Sequence, residues 1–470
     1  MSKLTSFTTE VFEETKSAEV NETTEASRPY RPIMPDGNAV EKLVFKFAFL
    51  YFFIQAVPLD WKFYKTLFSI NWLELHYGDI FNLTRYYPQF IEGQSYLNWL
   101  IVAAIAAIGA GIWSFLDKKS RDYNTLYYYL RVIARYRLAL GVIGYGFLKF
   151  YPLQSPLPSI SNLNTNYGDL THWKVFSMSL GIVPNYESFL GLIEIFAGLL
   201  LLYRGTATFG AFIVLLFHGN VFMSNLAYEG GEHVYSLYLI SFALLLGFYD
   251  LKRLYFLSVE QTVLPDKFKP VFKGNLKQGR LLLKSAFIFF FVFLYGYKSY
   301  AGYHTDPYQY PKTAGLADAA GIYNVTEFRI NNKVLPYSAT DTIRWKDVVF
   351  EKWATLSIRS NRPVQLEHSL TEEIHKDEKL RNYELAGAAG RHYYGYQIDE
   401  AKQQLVLHNR NKNYATETLT LNFSRPNNSR IILTGTDQQN NSIHVILDKI
   451  NKKYLLEEAA KSGRRKGIKL

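Results

Sequence analysis

The chain has 470 residues, 16% of them aromatic, a formal net charge of +11 and no cysteine. The length leaves room for two or three domains, and the missing cysteine excludes disulfides, thiolate metal sites and cysteine nucleophiles. The basic residues gather in short segments between apolar runs, which fits a membrane protein in contact with lipid and gives no reason to expect a nucleic-acid partner.

The first segment, 1–41, is polar and acid-rich (Glu10, Glu13, Glu14, Glu19, Glu22, Glu25) and closes on Pro29, Pro32 and Pro35. It reads as a disordered cytoplasmic tail, because a signal peptide would need a basic start followed directly by an apolar run. Seven segments then have the length and apolarity of spanning helices: 42–57, 96–115, 129–150, 188–203, 206–227, 234–249 and 281–300. Two of them fall in an accessory region, 42–128. Its loop 58–95 contains an amphipathic, aromatic stretch at 61–75, suited to lying on a membrane surface. Four form a core over 129–250. A basic loop at 251–280 and a last span at 281–303 complete the membrane part.

Loop charge sets the expected orientation. Lys118, Lys119 and Arg121 mark one connection, and Lys252, Arg253, Lys267, Lys269, Lys273, Lys277, Arg280 and Lys284 mark another. The loop 151–187 has only Lys174, and 228–232 has no basic residue. The positive-inside rule then gives a multi-pass protein of the cytoplasmic (inner) membrane, with the N-terminus in the cytoplasm and the C-terminal domain outside.

Composition changes between 298 and 311, and from Gly321 the apolar period becomes two. Strands are expected at 323–330, 342–350, 354–358, 393–398, 404–407, 418–423, 430–433 and 443–447, with turns at Asn331-Asn332, Asp399-Glu400 and Asn427-Asn428. Such short strands indicate an antiparallel sandwich or small barrel over 304–456. One helix is expected at 370–380, and 457–470 reads as a basic tail. The fold class is an all-α membrane bundle followed by an antiparallel all-β domain.

Ionisable groups inside a bilayer are costly and point to function. Glu194, within Leu-Gly-Leu-Ile-Glu-Ile-Phe-Ala-Gly, is the clearest. Lys149 ends the preceding span, and His218, Asn220 and Asn225 lie on the next, so all could meet in one polar pocket on the outer side. Arg131, Arg135, Val142, Tyr145 and Lys149 share one helical face. Structural roles compete with this. The arginines, Arg137 above all, could reach lipid phosphates. Glu194 could be a structural ion pair or a neutral acid, and His218, Asn220 and Asn225 could bind neighbouring helices. Gly191, Gly198, Gly205 and Gly210 suit close helix packing, while His172-Trp173 and His392 read as surface. No Walker loop, dinucleotide fingerprint, HExxH or G-x-S-x-G occurs, and His218 and His233 have no ligand-spaced partner, so no metal is expected.

The blocks Arg135-Tyr136-Arg137-Leu138-Ala139, Tyr145-Gly146-Phe147-Leu148-Lys149-Phe150 and Pro152-Leu153-Gln154 are followed by Gly191-Leu192-Ile193-Glu194-Ile195-Phe196-Ala197-Gly198-Leu199-Leu200-Leu201. Asn220-Val221 and Asn225-Leu226-Ala227-Tyr228-Glu229 come next. Together they resemble the DoxX-like membrane proteins over 129–249, in the larger form with an appended extracytoplasmic β domain. Residues 321–447, with GIYNVTEF, DTIRWKDVVFE and IILTGT, fit that form, whereas 454–470 replaces the aromatic ending expected after the last strand. The resemblance implies a four-helix core. Some relatives belong to quinone-linked oxidoreductases such as thiosulfate:quinone oxidoreductase, and similar bundles occur in relatives of vitamin K-dependent carboxylase. The candidate pocket set is therefore Arg135, Lys149, Glu194, His218, Asn220, Asn225, Tyr228 and Glu229. No cofactor is evident from the residues, and the resemblance implies a quinone. Three functions follow as expectations: a quinone-linked redox or redox-accessory component, an envelope assembly or anchoring protein with a partner on its β domain, and a small-molecule or lipid transporter.

Overall fold

The structure is a computed structural model describing residues 39–91, 93, 95–117, 123–259, 270, 272–367 and 373–462. Most of the expected tail lies outside these residues, but 39–41 already belong to helix α1 (Ala39–Ala56). Asp60 starts α2 (Trp61–Ser69) by accepting a hydrogen bond from the Lys62 amide at 2.9 Å, and no α2 residue is buried, as expected for the amphipathic stretch. Next come α3 (Tyr77–Thr84), α4 (Leu97–Leu116) and the longest continuous α-helix, α5 (Asn124–Phe150). Two short helices, α6 (Ile160–Leu163) and α7 (His172–Gly181), occupy the following loop. The bundle is completed by α8 (Pro184–Leu202), α9 (Ala207–Ala227), α10 (His233–Ser258) and α11 (Asn275–Thr305), whose middle, Phe289–Leu294, is wound as a π-helix.

Among the described residues, five helical segments are long and apolar enough to cross a membrane: Ala39–Ser69, Leu97–Leu116, Pro184–Leu202, Ala207–Ala227 and Asn275–Thr305. The other two expected spans fall short. The apolar part of α10 is only His233–Phe248, and α5 carries Arg131, Arg135, Arg137 and Lys149. These charges are tolerated because α5 is the central helix, packed against α1, α3, α8, α10 and α11. Arg137 does not reach outward. Its guanidinium donates to the Thr84 carbonyl (2.7 Å), to the Tyr86 carbonyl, and to the Tyr238 (3.0 Å) and Tyr235 (3.2 Å) hydroxyls. The basic loop expected at 251–280 is also shorter, since α10 runs to Ser258 and α11 begins at Asn275.

The C-terminal domain contains β1 (Gly321–Ile330), β2 (Lys333–Val334), β3 (Asp347–Phe350), β4 (Thr355–Arg359), β5 (His392–Asp399), β6 (Gln404–Asn409), β7 (Thr418–Asn427), β8 (Arg430–Asp437) and β9 (Ser442–Lys449). Every pairing is antiparallel, and all join sequence neighbours except β1 with β3 and β1 with β9, in the second of which Phe328 faces Val445. That last pairing closes a barrel of β1 and β3 to β9, with β2 attached to the outside of β1. Alternate residues such as Leu419, Leu421, Ile431, Leu433, Val445 and Leu447 fill its interior. The Asn331-Asn332 turn has both φ angles positive, 49° and 62°, as a tight hairpin requires.

Three expectations in this domain need correction. β3 begins at Asp347 rather than 342, because the Asp341 carboxylate accepts from the Ile343 and Arg344 amides (both 2.7 Å) and holds a turn there. Of the expected helix at 370–380, 368–372 lie outside the described residues and the remainder shows only a single 3-10 turn, Glu378–Leu380. The expected tail begins instead as helix α12 (Leu455–Ser462), and 463–470 lie outside the described residues.

β3 and β4 are buried along almost their whole length, rather than on alternate residues, because the loop after α5 covers their outer face. The Glu351 carboxylate accepts from the Ile160 amide (3.1 Å), the Ser161 amide (2.7 Å) and the Ser161 hydroxyl (2.6 Å). Asn162 donates to the Glu384 carbonyl (2.9 Å) and the Tyr393 hydroxyl (3.2 Å). Lys174, on α7, is fully buried, lies over the Tyr383 ring at 3.8 Å and donates to the Tyr383 carbonyl.

Candidate functional site

The site is built where α5, α8, α9 and α10 meet the barrel end of the bundle. Helix α8 starts four residues earlier than the apolar run suggests, because Pro184 occupies its first turn, where a missing N–H costs nothing. The early start brings Glu187 into the helix, seven residues and so about two turns before Glu194, on the same side. Gly191 lies between them. A β-carbon there would stand 2.3 Å from the Phe150 amide nitrogen and 2.5 Å from the Gly146 carbonyl oxygen. The absence of a side chain lets α5 and α8 touch backbone to backbone and brings Lys149 against Glu194, with Nζ–Oε1 at 2.7 Å.

A cavity of about 340 Å³ opens around this pair. Its polar lining includes Tyr145 and Lys149 from α5, Glu187 and Glu194 from α8, and His218 from α9. Glu232 lies at the start of α10, and Trp173, Phe176, Ser177 and Leu180 of α7 form a further wall. His218 Nε2 is 3.6 Å from Glu194 Oε1. Glu232 accepts from the Tyr145 hydroxyl (3.0 Å) and pairs with Arg85. Glu187 Oε1 accepts from the Ser155 amide at 2.9 Å. Glu187, Glu194 and His218 are 1%, 1% and 3% exposed. Yet Glu187 Oε2, Glu194 Oε2 and His218 Nδ1 have no hydrogen-bond partner among the described residues. A buried polar atom without a partner is costly, and three of them line one cavity.

Six of the eight candidates line this cavity: Lys149, Glu194, His218, Asn220, Asn225 and Tyr228. Asn225 also shapes the α9–α10 turn, because its side-chain oxygen accepts from the Glu232 amide (3.1 Å). Glu229 is exposed in that turn, at φ 56°, and does not line the cavity. Arg135 is buried fourteen positions before Lys149 on α5, roughly 21 Å away at helical rise, and is not at the site. Several residues here were not marked by the sequence. Glu187 falls at the end of a polar loop, and Glu232 stands beside the more obvious Glu229. Trp173 read as surface yet forms part of the wall. His392 is likewise buried in the barrel, against Arg362 (Nε–Nε2 3.1 Å), and burial together with that cation lowers it to about 4.

Helix α7 connects the cavity to the barrel. The Tyr383 hydroxyl lies 2.8 Å from Ser177 Oγ, which lies 3.4 Å from Ser155 Oγ, and the Ser155 amide holds Glu187. On the barrel side of the same helix, burial lowers Lys174 to about 7 against the opposing pull of Glu384. No family model, curated protein or solved structure matches this chain, so a functional reading rests on the site itself.

Proposed function

We propose that this chain is a multi-pass protein of the cytoplasmic membrane that binds a small amphipathic molecule in the α5–α8–α9–α10 cavity, with the barrel on the extracytoplasmic side. The observation that carries the reading is the enclosed Lys149–Glu194 pair, with unpartnered buried atoms on residues that line the same aromatic-walled space. The five apolar helices support a membrane setting, and the basic loops support the orientation. The DoxX-like resemblance of 129–249 supports a quinone-linked role, in which a flat ring would lie among Tyr145, Phe217 and Tyr235. A second reading, anchorage of a β domain for an envelope partner without small-molecule binding, draws support from the buried contacts that fix the barrel to the bundle.

Four full-length proteins separate these readings: wild type, Glu194→Gln, Lys149→Met and the double variant. Glu194→Gln leaves a buried ammonium unpaired and is expected to cost about 3 kcal/mol, whereas the double variant removes both charges and should recover most of it. Thermal unfolding in detergent measures this. Mass spectrometry of the co-purified small molecule should show it in the wild type and not in the double variant. A well-folded double variant that keeps its ligand in full would end the binding reading and leave the anchoring one.

A further inference from the structure

The charges around the cavity do not balance. Three carboxylates line it, Glu187, Glu194 and Glu232, with Lys149 as the only basic lysine or arginine among the lining residues. Glu194 is matched by Lys149, and Glu232 by Arg85 from behind the wall. Glu187 has no basic side chain within ion-pair distance among the described residues. Its Oε1 accepts from a neutral backbone amide, and its Oε2 accepts nothing. Without a cation such a buried carboxyl holds its proton, and a cationic group arriving beside it is what lets it ionise. The neighbouring wall suits one: the Phe176 and Tyr228 rings stack 4.7 Å apart beside Trp173, and aromatic faces attract ammonium groups. Leu180, Leu190, Val221 and Leu239 offer apolar surface to the rest of such a molecule.

Building on the binding role proposed above, we infer that the molecule held in this cavity carries a protonated amine head on an apolar body, with the head donating to Glu187 Oε2. The donor requirement sets it apart from a ketone or quinone, whose oxygens only accept, so the inference keeps the cavity's binding role and replaces the quinone as its occupant. Glu194 supplies a further acceptor at Oε2, and His218 another at Nδ1 in the tautomer that carries its proton on Nε2. The head pairs with the one lining carboxylate that has no basic partner among the described residues.

The test compares n-decylamine with 2-decanone, equal in chain length, binding to the full chain in phosphatidylcholine nanodiscs, read by calorimetry. The amine is expected to bind at least about tenfold more tightly than the ketone, as a site built to receive a donor should require. Glu187→Gln keeps the Oε1 acceptor for the Ser155 amide and turns the free oxygen into an NH2 donor. It should unfold near the wild-type temperature, lose the preference for the amine by about tenfold or more, and hold the ketone at least as well. An unchanged preference in Glu187→Gln would overturn the inference. If that variant does not fold, the wild-type comparison decides alone, and equal binding of amine and ketone refutes the amine head while leaving the cavity's binding role standing. If neither probe binds and no small molecule co-purifies, the binding role fails as well.

Discussion

At the scale of single residues, the informative side chains are charges that the protein keeps away from water. Arg137 is 4% exposed and satisfied by two carbonyls and two tyrosine hydroxyls, which ties α5 to α10 and to the end of α3. Replacing it with Met should strand the Tyr86 carbonyl, leave the Thr84 carbonyl only the long 3.4 Å bond from the Tyr235 hydroxyl, and lower stability by about 2–4 kcal/mol. Arg137→Lys should recover little, because a point ammonium cannot reproduce the planar fork. Thermal unfolding of both variants checks this, and near-complete rescue by Lys would show that charge alone is at work. Glu194 was legible in the sequence because a lone carboxylate inside an apolar run has few outcomes, and its partner at the end of the preceding helix could be named. Arg137 was misread because depth along a helix does not say which neighbours surround it. Glu187 was missed because its significance depends on where α8 begins, which Pro184 sets rather than the apolar run.

At the scale of elements, α5 and α8 owe their contact to Gly146 and Gly191. Gly191→Ala should force the two backbones apart, cost about 1–3 kcal/mol and lengthen the 2.7 Å Lys149–Glu194 contact. An unchanged thermal midpoint and an unchanged pair in a determined structure of the variant would refute this account of the contact. Five of the seven expected spans and most of the eight barrel strands were legible from their periods, since both repeat a local pattern over several residues, whereas β3 and β4 are buried without alternation. The short helices α3 and α7 were not. Each has 8 to 10 residues and begins on a side-chain cap, His76 or Thr171, in otherwise irregular sequence. Their helicity comes from packing, and α7 matters most because it is wall to the cavity on one side and seat for the barrel on the other.

At the scale of the whole molecule, the bundle and barrel meet through buried ionisable groups, so their association should depend on pH. Burial, reinforced by the nearby Glu384 charge, raises Glu351 from 4.5 to about 7. The docked form therefore holds a proton that the separated form releases. The stabilisation is fully present below about pH 4.5 and is lost as pH rises through about 7. The thermal midpoint should fall across that window, and Glu351→Gln should flatten the fall. A wild-type profile flat from pH 5 to 7 would refute the coupling. The sequence left sandwich and small barrel open, because the closing pair of Tyr323 with Lys449 joins residues far apart in the chain and depends on the twist and tilt of every strand between them. That seam has a mechanical consequence. The strand that enters from α11 and the strand that leaves toward α12 lie side by side, and just past the exit Lys452 and Tyr454 both bond to Asn164 in the loop after α5, each at 2.7 Å. The domain is thus a handle attached at both ends to one spot, not a weight on a single tether. A pull on its far loops loads two attachments together, and a single cut in one of those loops leaves both halves still joined to the bundle.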